Sequence, residues 1–175
     1  MRVLISAEQI HERIKEMSAA IAADYGSEPV TLVGVLSGCI IFLADLVRQL
    51  SMPTRIEFLR ASSYPGTATT PSKLEIIKGF SPEVRGRNVL LIDDILDSGQ
   101  TLSQLAQHLR ELGAKSVRIA VLLRKPARQV VPLEPDYCGF EIPDLFVVGY
   151  GLDFNNDYRQ LPYIAVLDEH QTSAS

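Results

Sequence analysis

Val89-Leu90-Leu91-Ile92-Asp93-Asp94-Ile95-Leu96-Asp97-Ser98-Gly99-Gln100-Thr101-Leu102 decides how the rest of the chain is read. Val89 to Ile92 is a short apolar run of branched side chains, the pattern of a buried strand. Asp93 and Asp94 close that run. A third carboxylate, Asp97, then a Ser-Gly pair and a threonine follow. Leu102, Leu105, Ala106, Leu109 and Leu112 recur at helical spacing, and Gly113 is placed to end the helix. The spacing therefore predicts strand, loop, helix, with the loop beyond the carboxyl end of a strand. Open α/β sheets bind ligands there.

Each residue type in the loop has a chemical use. The N–H groups from Ser98 to Thr101 sit where a helix begins, and unpaired donors with the helix dipole favour a phosphate. Gly99 permits positive φ and close approach of the backbone. Ser98 and Thr101 add hydroxyls. Asp93 and Asp94 can accept hydrogen bonds from neighbouring ribose hydroxyls or hold a hydrated Mg²⁺. Asp97 is placed to act as an acid or base. The alternative, a plain βα turn capped by one aspartate, leaves the other carboxylates and Ser-Gly-Thr without a purpose.

The segment resembles the phosphoribosyl-pyrophosphate (PRPP) motif of type I phosphoribosyltransferases, and Asp97 in the third acidic place resembles their 6-oxopurine branch. The resemblance implies that PRPP is bound by Asp93, Asp94, Ile95, Leu96, Ser98, Gly99, Gln100 and Thr101, with Asp97 catalytic. It also implies an α/β fold, a parallel sheet flanked by helices, with a small hood built from the N- and C-terminal segments.

Composition sets the outer bounds. The chain has 175 residues, 46% hydrophobic and 22% charged, with net charge -4. That length suits one domain spanning 1–175. Without a block of basic residues the chain does not read as a nucleic-acid or membrane-surface protein. Cys39 and Cys138 are the two cysteines. They form no zinc or disulfide pattern, which places the chain in a reducing cytoplasm. Met1 to Gln9 lacks a signal-peptide core, and the apolar stretch from Leu32 to Ala44 is shorter than the ~18–20 residues of a membrane span.

Ser6-Ala7-Glu8-Gln9 reads as a capping box. A helix follows to about Ala23, with Ile10, Ile14, Met17 and Ile21 as its apolar stripe. Val30 to Leu36 is a continuous apolar strand, Ser37-Gly38 a tight loop, and Ile40 to Leu50 a helix stopped by Pro53. This second strand–loop–helix unit resembles the family's pyrophosphate loop, which implies that Ser37 and Gly38 contact pyrophosphate and that the Leu36–Ser37 bond is cis. Many relatives carry Lys or Arg where this chain has Ser37, so backbone donors must serve.

Arg55 to Arg60 reads as a strand, residues 62–72 as a long polar loop, and Leu74 to Ile77 as a returning strand. The resemblance makes the loop a lid, with Ser63-Tyr64 matching the family's Ser-Tyr pair. Pro65 and Pro71 depart from the commoner pattern. A lid suits a reaction whose ribosyl cation must be shielded from water. Ser116 to Leu123 is a further strand, ending in Arg124-Lys125-Pro126.

The resemblance is densest from Pro135 to Leu167. It implies that Lys125 donates to O6 of the purine, that Phe146 stacks on it and that the Val147 backbone meets its edge. It makes Asp153 a purine-side residue and the ligand of a second Mg²⁺ on the pyrophosphate side, and it makes Arg159 a pyrophosphate contact. Without the resemblance, Phe146 reads as core and Arg159 as surface. Tyr163 to Leu167 is a last strand, and 170–175 a disordered tail.

The function implied is transfer of the phosphoribosyl group from PRPP to hypoxanthine or guanine, with Mg²⁺, in a homodimer or homotetramer. The alternatives are an RNA-binding regulator on the same fold that senses PRPP or nucleotides, and an enzyme preferring xanthine. Lys125 disfavours adenine.

Overall fold

The apolar run at the start of the deciding stretch is buried because it lies in the middle strand of a sheet covered on both faces. A computed structural model describes residues 1–64, 73–77, 79 and 81–167. Along the chain come β1 (Arg2–Ile5), α1 (Ala7–Tyr25), β2 (Val30–Val35), α2 (Ile40–Val47), β3 (Thr54–Leu59) and β4 (Ala61–Tyr64). They are followed by β5 (Lys73–Ile76), β6 (Asn88–Leu96), α3 (Gln100–Glu111) and β7 (Ser116–Arg124). The last strands are β8 (Tyr137–Glu141), β9 (Val147–Val148) and β10 (Ile164–Val166).

The main sheet has the order β3-β2-β6-β7-β8, and all its pairings are parallel. Successive side chains of β6 point to opposite faces. Leu90 and Ile92 join the core under α1 and α2, with Ile10, Ile14, Phe42 and Leu46. Val89 and Leu91 join the other core, with Leu102, Leu105 and Leu109 of α3. The apolar pattern is therefore continuous rather than alternating.

The terminal strands make a separate sheet, β1-β10-β9, antiparallel throughout. This is the hood that the resemblance implied. Ser6 caps α1 through the expected capping box, and Gly26 ends the helix at positive φ.

The strand order reverses between β2 and β6. From β2 the chain continues to β3 on one side, and from β6 to β7 on the other. The loops that leave β2 and β6 therefore part at their carboxyl ends and open a crevice. The pyrophosphate-like loop and the PRPP-like loop are those two loops.

Several boundaries differ from the sequence reading. Asp93 and Asp94 do not end β6. The strand runs on to Leu96 because its ladder with β7 continues to Leu96 and Arg124. Residues 62–72 are not all loop, since β4 pairs with β5 as an antiparallel hairpin from Ala61–Ile76 to Tyr64–Lys73. Residues 65–72, the side chains of Ser63 and Tyr64, and the tail at 170–175 lie outside what is described.

β8 was not foreseen, since Gly139 interrupts its pattern. A Cβ at Gly139 would overlap the Leu122 carbonyl, so glycine is required where β8 crowds β7. No helix among the described residues is long and apolar enough to cross a membrane.

Leu90 is fully buried in the central strand. Leu90→Ala should cost about 2–5 kcal/mol of stability, read as a lower urea midpoint with an unchanged slope.

Candidate active site

The deciding stretch delivers its polar residues to the crevice as a cup. Asp93, Asp94, Ile95, Leu96, Asp97, Ser98, Gly99, Thr101 and Leu102 line a cavity of about 160 Å³, the scale of a phosphate group with its ribose edge. Gly99 has φ 86 and immediately precedes α3, so the first N–H groups of the helix face the cup. Ser98 Oγ accepts from Gln100 N–H at 3.3 Å. The carbonyl of Ser98 accepts from Val130 and Val131 N–H at 2.9 and 3.2 Å, which ties the turn to the segment after β7.

Asp93 and Asp94 are the electrostatic centre. Burial pushes the Asp93 carboxyl well above the ordinary value, and the neighbouring Asp94 charge pushes it further. Asp94 is raised too, mainly by burial, with Arg159 among the groups that pull it back. Asp93 Oδ1 accepts from the Asp94 N–H at 2.9 Å.

Behind them Cys39 is buried, and its thiol is pushed up to about 12 by burial and then by these carboxylates. It therefore stays protonated at neutral pH and is no nucleophile.

The loop after β2 closes on the acids. The Leu36–Ser37 bond is cis, as the resemblance implied. A Cβ on Gly38 would overlap Asp94 Oδ2, and one on Gly151 would overlap the Gly38 carbonyl. Three distant segments thus meet without room for a methyl group. Ser37 is exposed. Arg159 donates Nη1 to the Gly151 carbonyl at 2.5 Å, and its Nη2 lies 3.0 Å from Asp153 Oδ1. Arg159, Asp153, Gly38 and Asp94 are therefore neighbours.

On the other side of the cup, Lys125 is buried at the end of β7. Its N–H donates to the Leu96 carbonyl at 3.0 Å. Its Nζ lies 3.7 Å from Asp144 Oδ1. The other Asp144 oxygen is 3.9 Å from Arg128, and Arg128 Nε donates to Asp97 Oδ1 at 3.1 Å. Charges alternate along Lys125, Asp144, Arg128 and Asp97. Among the described residues, Asp97 Oδ2 has no hydrogen bond.

Arg128 and Asp144 had not been singled out in the sequence. Pro126 at the start of the short 3₁₀ turn Pro126–Arg128 brings Arg128 back toward Asp97. A Pro-initiated turn with a cation two residues on was the available signal.

Phe146 is about half exposed, 49%, not core. Its ring meets Phe154 edge-on, with centroids 5.7 Å apart. Val147 beside it is buried in β9. An exposed aromatic face is a platform for a flat ligand.

A family model described as phosphoribosyl transferase domain matches residues 6–155. The hypoxanthine-guanine phosphoribosyltransferase of Bacillus subtilis (strain 168) is 42% identical over 166 residues, covering 95% of this chain and 92% of that protein. The chain belongs to the hypoxanthine-guanine phosphoribosyltransferase family.

A Streptococcus pneumoniae member of the same name is 43% identical over 168 residues, covering 96% of this chain and 93% of its own. A crystal structure of a hypoxanthine phosphoribosyltransferase from Staphylococcus aureus superposes with TM-score 0.92 at 37% identity, covering 98% of this chain and 93% of that one. One of a Bacillus anthracis hypoxanthine-guanine phosphoribosyltransferase gives 0.88 at 39%, covering 95% and 96%. This chain is an enzyme of that family, a phosphoribosyltransferase of purine salvage.

The raised pKa of Asp93 has a consequence for stability. An acid whose pKa rises on folding holds its proton more tightly in the folded chain. Stability therefore falls as pH climbs above the ordinary aspartate value of 3.8, and the penalty is complete above the raised value. Asp93→Asn should thus melt higher than wild type at about pH 7 and lose less stability between mildly acidic and neutral pH, as calorimetry would show. A lower melting temperature at neutral pH would contradict the assignment of strain to this pair.

Proposed function

We propose that the enzyme transfers the 5-phosphoribosyl group of PRPP to N9 of hypoxanthine or guanine, giving IMP or GMP and pyrophosphate. One observation supports the reading: a buried lysine is linked through Asp144 and Arg128 to Asp97, a carboxylate that itself lines the cup at the start of α3.

The 5′-phosphate takes the N–H groups and hydroxyls of Ser98 to Thr101 at the start of α3, with Ile95, Leu96 and Gln100 in the same turn. Asp93 and Asp94 accept from the ribose hydroxyls. Ser37 and Gly38 offer backbone donors to the pyrophosphate, and Arg159 adds a fixed fork of N–H groups.

The donor set also fits Mg²⁺. Asp93, Asp94 and Asp153 are hard oxygen ligands, and the acid pair carries charge that burial penalises. Among the described residues no group of three or more ligands could enclose an ion. Mg²⁺ keeps waters and takes one or two carboxylates together with substrate phosphates. When bound it neutralises the developing charge of the leaving pyrophosphate.

The purine lies on the Phe146 ring with its edge along the Val147 backbone. Lys125 donates to O6, and as a group with donors only it opposes the 6-amino group of adenine. The N9 lone pair forms the new bond to the ribose carbon as that carbon's bond to the pyrophosphate oxygen breaks. The N7 proton passes to Asp97, whose second oxygen is available while Arg128 holds the first.

We further read the enzyme as cytoplasmic, from its two free thiols. We read it as a homodimer or homotetramer, from its membership of the family. A monomer in sedimentation would remove the latter.

The test is pyrophosphate release with PRPP, Mg²⁺ and each of hypoxanthine, guanine, xanthine, adenine and uracil. Release with both hypoxanthine and guanine and none with adenine or uracil is expected; release with adenine would sink the role of Lys125.

Asp97→Asn should lower kcat by ~10²–10⁴, or about 3–5 kcal/mol of barrier. The exposed Arg128 pair it disturbs is worth only about 0–1 kcal/mol, so folding should survive. Lys125→Gln should raise KM for the oxopurine with little change in KM for PRPP. Equal losses for both substrates would show that Lys125 is structural.

A further inference from the structure

The parallel sheet has a second end, opposite the crevice, and a basic cavity opens there. Arg55 on β3, Leu112 at the close of α3, and Pro82, Glu83, Val84, Arg85 and Arg87 leading into β6 line about 400 Å³. That volume lies in the range of small-molecule sites. Its charged groups are three guanidiniums and one carboxylate, in a chain of net charge -4.

Elsewhere Arg13, Arg48, Arg118, Arg124, Arg128 and Arg159 each face a carboxylate. Among the described residues, Arg2, Arg55, Arg60, Arg85, Arg87 and Arg110 face none within ion-pair distance, and three of these six share this cavity.

The frame is fixed before any ligand arrives. Arg87 donates Nε to the hydroxyl of Thr31, a fully buried residue of β2. That leaves the other guanidinium N–H groups for a further acceptor. Its backbone N–H donates to Val84 at 3.0 Å, and its carbonyl accepts from Lys115 at 2.8 Å. Gly86 N–H reaches the Gly113 carbonyl at 2.8 Å.

The Arg85 backbone bridges to Ala114, and its guanidinium lies over Gly113, Nη1 standing 3.4 Å from where a Cβ would be. Buried Val84 and Pro82 give the cavity an apolar wall.

A neighbouring cavity of about 370 Å³ shares Arg87 and contains Lys115 and Asn88. There Glu28 already engages both, Lys115 at 3.8 Å and Asn88 at 2.7 Å. That site is largely neutralised, and the first is not.

We propose that the Arg55–Arg85–Arg87 cavity is a second, non-catalytic anion site that binds a small molecule carrying two or more adjacent phosphates. Guanidinium forks match phosphate oxygens in pairs, and the apolar wall admits a nucleoside attached to them. The site is separate from the PRPP cup. Arg87 and Asp93 lie at opposite ends of one strand segment, about 20 Å apart at ~3.3 Å per residue.

The experiment is calorimetric titration of the intact enzyme with inorganic tripolyphosphate and, separately, with ADP. Wild type should show two classes of site for tripolyphosphate. Arg55→Gln/Arg85→Gln, both exposed and remote from the cup, should lose one class or weaken it tenfold or more while PRPP-dependent turnover stays within twofold. Glu83→Gln removes the one carboxylate among the described residues that line the cavity and should tighten the same class, so the proposal does not hang on one variant.

Tighter binding of ADP than of tripolyphosphate to that class identifies a nucleotide ligand; equal or weaker binding identifies a bare polyphosphate. A single class in wild type, or two classes unchanged in the double variant, overturns the proposal.

Discussion

Two carboxylates side by side at the carboxyl end of a central strand repel each other and lose hydration. Asp93 and Asp94 are tolerated because the strand beneath them, from Asn88 on, is locked between β2 and β7 and covered on both faces. The remainder of the site follows from that arrangement. The loop after β2 must carry glycine at position 38 to pass Asp94, and glycine at 151 to pass the Gly38 carbonyl. Arg159 supplies the nearest positive charge. Burial of the pair disfavours its charged form, so the acids are a costly feature of the free chain.

The same strand divides the chemistry in space. Towards the loop after β2 stand Gly38, Asp153 and Arg159. Towards β7 stand Lys125, Asp144, Arg128 and Asp97. The second set is a row of alternating charges with separations between 3.1 and 3.9 Å. Asp144 meets two cations and Asp97 one, so Lys125 and Asp97 are held in register through Asp144 and Arg128.

Most of this architecture was legible in the linear chain, for definite reasons. A continuous apolar run followed by acids and Ser-Gly-Thr has few physical interpretations, and the capping box at Ser6 is a local signal. What escaped was non-local. The persistence of β6 through Asp93 and Asp94 depends on its partner β7, which no local propensity reports. β8 was hidden by Gly139, whose presence is explained only by the crowding of Leu122. Phe146 looked like core because its neighbours in sequence are apolar, yet the chain turns it outward against the edge of Phe154. Arg128 was overlooked because its partner is 31 residues away in sequence.

The interlock of Gly38, Asp94 and Gly151 joins parts of the chain that are separated by more than half its length. None of them forms an active centre alone, because each supplies one wall that the other two complete. Catalysis thus serves as a coincidence detector for folding: a chain arrested with only its N-terminal half assembled has no partial turnover to offer, and activity counts finished molecules.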